Sequence, residues 1–175
     1  MPTAAEQIMQ ELVRSLQNHA PSVQWDTDAE NRDMRILTIR NPYNERWSLQ
    51  YTCPVEPDRR GELYGSLWFG AVEITGYLSA EEALDTIQAV LNGHITAVQR
   101  FRNRDAQVNH HPSGFCKVFL TAPDGDDDEA LAALRERLAR PVTFWERLTG
   151  TYVGIFEFAN WQQTLTVSHM TGKNR

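Results

Sequence analysis

Apolar residues recur along this chain in two periods, and the switches between them lay out its elements. In "TAAEQIMQELVRSLQNH", Ile8, Met9, Leu12, Val13 and Leu16 return every three or four positions. That is the period of an amphipathic helix, and Thr3 with Glu6 has the spacing of a capping box at its start. "SAEEALDTIQAVLNG" carries the fuller set of signals. Ser79 and Glu82 cap it, Ala83, Leu84, Ile87, Val90 and Leu91 form the stripe, and Gly93 stands where a left-handed residue ends a helix. A third helix is expected in "APDGDDDEALAALRERLARP", acidic at its start and basic towards its end at Arg135, Arg137 and Arg140, an order that suits the helix dipole. Pro141 stops it. "TFWERLTG" reads as one or two further helical turns closed by Gly150.

The intervening stretches follow period two. "SVQW", "MRILTIR" and "RWSLQYTC" read as strands, the last with Trp47, Leu49, Tyr51 and Cys53 on one face. "NPYNE" is a turn by its Pro and Asn content, so the second and third strands are expected to form a hairpin. In "LYGSLWFGAVEITGYL", Gly65, Gly70 and Gly76 either bend one long strand or split it into two. "HITAVQRF" and "FCKVFLT" are further strands, and "TYVGIFEFANWQQTLTVSH" is a final pair joined around Asn160. Residues 170–175 read as a tail. With no linker, repeat or low-complexity tract, the expectation is one α+β domain over residues 1–175. Its sheet should be mainly antiparallel, with two or three helices packed on it.

Composition narrows the class. A chain of 175 residues is near the size of one ordinary domain, and its 41% apolar content is that of a globule with a core of its own. Cys53 and Cys116 are far apart and lack C-x-x-C spacing, so neither a disulfide framework nor a zinc ribbon is expected. The first segment is amphipathic and carries Glu6 and Glu11, unlike a signal peptide, and no apolar run is long enough to span a membrane. The expected location is a reducing cytoplasm. The net charge of −6 is unevenly spread: residues 1–87 hold 7 basic and 14 acidic residues, residues 88–175 hold 10 and 9. An acidic field disfavours nonspecific nucleic-acid binding and favours basic partners.

Candidate chemistry is sparse. "VNHHPSGFC" places His110, His111 and Cys116 close together, but adjacent histidines diverge on most backbones and the spacing matches no structural zinc site. Neither a metal nor a cofactor is expected. Cys116 alternates with Val118 and Leu120 on one face, opposite Phe115, Lys117 and Phe119, which reads as inert core rather than a nucleophile. "DGDDDE" lacks the ligand spacing of a calcium loop and is better read as a helix start. Its residues Asp124, Asp126, Asp127, Asp128 and Glu129 also form an acidic surface for a basic partner, as do Asp26, Asp28, Glu30 and Asp33. In "AVQRFRNRD", an extended chain would put Arg100, Arg102 and Arg104 on one side, an anion-binding stripe that His110 and His111 could extend. Of Trp25, Trp47, Trp68, Trp145 and Trp161, most should be core, and an exposed one would mark a binding face.

The stretch "LYGSLWFGAVEITGYLSAEEALDTIQAVLNGHITAVQRF", with the size and acidity of the chain, resembles the small immunity proteins that accompany bacterial polymorphic or contact-dependent toxins. The resemblance implies a cytoplasmic α+β or α/β domain that binds and blocks a cognate toxin, often a basic nuclease, through an acidic surface. It rests on overall character, so it assigns no residue a role, and the Arg100–Arg104 stripe departs from it. The expected function is therefore a protein-binding inhibitor without catalysis. The alternatives are an anion binder or enzyme built on the arginine stripe, and an adaptor subunit of a phage or secretion system.

Overall fold

The structure is a computed structural model that describes residues 2–121 and 129–170. The expected α+β class with antiparallel pairing is what it shows. The strands divide between two sheets, and the chain divides into two compact units, Met1–Asn92 and Gly93–Arg175.

Unit 1 runs α1 (Ala4–Leu16), β1 (Gln24–Thr27), β2 (Met34–Ile39), a 3-10 turn (Glu45–Trp47), β3 (Leu49–Pro54), β4 (Gly65–Phe69), β5 (Val72–Leu78) and α2 (Ala80–Leu91). Its five strands pair in chain order, each with the next. Both expected capping boxes are formed. Glu6 accepts from the Thr3 N–H and Glu82 from the Ser79 N–H, each at 2.9 Å, and both cap hydroxyls return the bond. Register aligns Leu37, Tyr51 and Leu67 across three strands, and Ile39, Leu49 and Phe69 beside them. All six are fully buried, as are Met9 and Leu16 of α1 and Ile87 of α2. The helices lie side by side, α1 over β1 and β2, α2 over β4 and β5. Burying each such side chain contributes about 1.5–3 kcal/mol. Arg35 of β2 pairs with Glu6 of α1 at 3.1 Å and ties helix to sheet.

The glycine-dotted stretch is two strands. Gly70 turns between β4 and β5 at φ +61°, where a Cβ would stand 2.9 Å from the Trp47 ring. Trp47 lies not in β3 but in the 3-10 turn before it. It is buried all the same, 5.2 Å from the Phe69 ring centre.

Unit 2 runs β6 (Ile95–Phe101), α3 (Arg104–Val108), β7 (Pro112–Leu120), α4 (Glu129–Ala139), α5 (Phe144–Thr149), β8 (Gly154–Ala159) and β9 (Thr164–His169). The sheet order is β7-β6-β8-β9, so β6 is central and β7 is an edge. Leu131, Leu134 and Leu138 come off α4 at helical spacing and pack on Val98, Phe119, Phe156 and Phe158. Gly154 allows β8 to approach β6: a Cβ there would sit 2.4 Å from the Phe101 carbonyl oxygen. His169, buried at the end of β9, sets Nδ1 against the Tyr152 carbonyl and Nε2 2.9 Å from the Arg140 carbonyl, closing the unit behind α4.

Candidate functional site

The sequence candidates separate in space. Asp124, Asp126, Asp127 and Asp128 lie outside the described residues; Glu129 is the exposed first residue of α4. Asp26, Asp28, Glu30 and Asp33 belong to the β1–β2 hairpin. Asp28 works on the turn itself, where its Oδ1 accepts from the Glu30 and Asn31 N–H groups at 2.8 and 3.3 Å. Asp26, Glu30 and Asp33 are exposed and leave a carboxylate-rich tip at the sheet edge.

The arginine stripe is not a stripe, because the strand ends too soon. β6 stops at Phe101, and Asn103, whose side chain accepts from the Ala106 N–H at 2.8 Å, caps α3. Arg100 is therefore on a strand, Arg102 in a bend and Arg104 in a helical turn. Arg100 serves the fold: its Nε and Nη2 donate to the Ser113 carbonyl at 3.1 and 2.9 Å, and its Nη1 donates to the Gly150 carbonyl at 3.0 Å. Arg102 and Arg104 are exposed and make no side-chain hydrogen bond or ion pair with a described residue.

His110 and His111 follow α3 rather than ending a basic strand. His110 is half-buried at φ +54°, its ring edge against Phe101, and His111 is exposed. Cys116 is also corrected. The alternation along β7 is as expected, but the core side is that of Phe115 and Phe119, so Cys116 is exposed on an edge strand. Partial desolvation holds its thiol above the ordinary value, away from the thiolate a nucleophile needs. Among the described residues no three His, Cys, Asp or Glu side chains are placed to hold a metal ion.

What the structure adds is the outward face of α5. Its six residues are held firmly. Glu146 accepts from the Thr143 N–H at 2.8 Å and pairs with Arg137 of α4, and Gly150 closes the helix in the left-handed conformation at φ +70°. Burial pushes the Glu146 carboxyl up, but the Thr143 donors and the Arg137 guanidinium together hold it below the ordinary carboxylate value. On this framework Phe144, Trp145 and Leu148 are 71, 69 and 67% exposed. The two aromatic rings meet edge to face with centres 5.8 Å apart. Trp145 is the exposed tryptophan; Trp47 and Trp161 are buried and Trp25 and Trp68 intermediate.

Two clefts adjoin at Arg102 and Met170. The larger, about 670 Å³, is also lined by Arg104, Asp105, Gln107 and Ser168. The smaller, about 460 Å³, runs from Arg100 and Arg102 to Thr149 and Gly150 at the end of α5, with no carboxylate in its lining. His110 and His111 line neither. The helical period of "TFWERLTG" was legible, but not that its apolar residues stay outside; the signal for that is Glu146, the residue of this helix that turns inward. Comparison of the chain with known protein families, curated proteins and solved structures finds no match.

Proposed function

We propose that the protein binds another protein and blocks it by occlusion, in its most concrete form as a cytoplasmic immunity protein that neutralises a cognate bacterial toxin. The observation that carries the binding reading is the face of α5. A capped turn holding Phe144, Trp145 and Leu148 in solvent has the make-up of an interface hot spot, where tryptophan anchors dominate. The toxin-directed form is supported by charge. The −7 balance of residues 1–87 and the exposed Asp26, Glu30 and Asp33 would steer a basic domain towards unit 1.

Deletion of the gene from its native cell, followed by competition with the parent strain, tests the reading together with affinity capture of the tagged protein. The expected result is a deletion strain poisoned by contact with its parent, a basic protein domain retained by the tagged chain, and loss of both protection and capture in Trp145→Ala. A deletion strain that competes normally, with no basic domain retained, overturns it.

A further inference from the structure

We propose that the α5 face of unit 2 docks an acidic, apolar peptide segment of the partner protein, separate from the basic surface of that partner that the carboxylates of unit 1 attract, with Arg102 receiving a carboxylate of that segment. This rests on the protein-binding reading and names the chemistry of what is bound.

Charge complementarity selects the occupant. Among the described residues of unit 2, eight Lys and Arg stand against five Asp and Glu. Two of those carboxylates, Glu136 and Glu146, are already paired with Arg140 and Arg137. Arg147 on α5 itself is exposed, and the cleft at the helix end is walled by Arg100 and Arg102 without a carboxylate. Arg100 donates three N–H groups to neutral carbonyls, which fix its position but leave its charge uncompensated. Arg102 has no described partner, so its planar fork is free for a bidentate carboxylate.

Distance fits a short segment. The six residues of α5 span about 9 Å. The arginine cleft begins at Thr149, whose hydroxyl donates to the Trp145 carbonyl at 2.9 Å, one helical turn back. An extended peptide advances about 3.3 Å per residue, so about three residues reach from the aromatic pair to the cleft. Apolar side chains would cover Phe144, Trp145 and Leu148, and an acidic one would reach Arg102.

Two short labelled peptides test this by fluorescence anisotropy. They share one Leu/Phe frame, one with Glu and one with Lys at the intervening positions. The Glu peptide should bind about tenfold or more tighter than the Lys peptide, a gap that narrows with added salt. Arg102→Glu should invert the preference, and Trp145→Ala should weaken both peptides. Matching thermal melts of the two variants and the parent establish that folding is intact. Equal binding of both peptides overturns the charge pairing and leaves the protein-binding reading standing. Binding of neither, with adsorption to vesicles of anionic phospholipid instead, assigns the face to a lipid surface and overturns the proposal. Binding of inorganic phosphate at Arg102 with no peptide bound overturns it in favour of a small anion.

Discussion

Unit 1 and unit 2 both set helices against an antiparallel sheet, yet they treat their apolar residues differently. In unit 1 the large apolar side chains left exposed among the described residues are Tyr43 and Tyr77, each ending in a hydroxyl. In unit 2 they are Val108, Leu120, Phe144, Trp145, Leu148 and Leu165, of which three share one turn of helix. Charge divides along the same boundary, with 14 acidic residues against 7 basic in residues 1–92 and 9 against 10 in residues 93–175. A helix whose apolar stripe faces its own sheet is there for stability. One fixed by its polar residues, with its apolar face outward, invites a partner. Unit 1 exemplifies the first arrangement in α1 and α2, unit 2 the second in α5.

The contrast breaks most visibly by truncating the core of unit 1. Phe69 is fully buried against Trp47, so Phe69→Ala should cost about 3–5 kcal/mol in chemical denaturation through lost transfer energy and the cavity left behind. Arg100→Ala comes next. It removes three hydrogen bonds to the Ser113 and Gly150 carbonyls, and hydrogen bonds to charged groups are worth about 1.5–3 kcal/mol each, with the loss shared because they act as a unit. About 2–3 kcal/mol is expected, with Arg100→Lys recovering only part of it, because an ammonium cannot reproduce the fork. Faster amide exchange at Gly150 would localise the loss to the end of α5.

How well the sequence could be read follows the same division. Capping boxes are local, and both in unit 1 sit where Thr3–Glu6 and Ser79–Glu82 place them. Strand pairing there joins neighbours in the chain, so the expected hairpin of β2 and β3 needs no long-range information. In unit 2 the arginine alternation misled. Asn103 is both a plausible strand residue and a helix cap, and the cap prevails, which turns Arg104 into α3. The face of Cys116 was misread for a different reason. Period two says which residues share a face, not which face is covered, and on an edge strand the covered one is chosen by α4, far along the chain. The site itself was half legible: a helix in "TFWERLTG" is local information, its orientation is not.

A smaller effect links the two units through one device. Glu6, Glu82 and Glu146 are the acceptors of three capping boxes, and each is held below the ordinary value of 4.5. For Glu6 the main cause is the Thr3 N–H, with the Arg35 guanidinium second, and for Glu82 it is the Ser79 N–H. A depressed folded value means that the unfolded chain takes up the proton first. The contribution is therefore fully present above pH 4.5 and is lost as pH falls through the folded values below it. Thermal melts should hold level down to that pH and then drop. Glu6→Gln and Glu82→Gln should each flatten the drop, while Glu146→Gln should also loosen α5 by removing the pair with Arg137.

The smallest effect on stability is the sharpest test of the comparison. Trp145 is 69% exposed, and its ring touches that of Phe144 rather than the core. Surface substitutions away from buried features usually fall within about 0.5 kcal/mol, so Trp145→Ala should leave the denaturation midpoint nearly unchanged. If α5 had turned its apolar residues outward only because the unit had no room for them, nothing else should change either. If the turn is there for a partner, the same substitution should cost about 2 kcal/mol or more of binding, as central tryptophan anchors do, and isothermal titration against the captured partner would read it. A variant that keeps its midpoint and loses its partner identifies α5 as a contact. One that loses its midpoint shows instead that Trp145 belongs to the core of unit 2, and the distinction between an inward and an outward helix would fall.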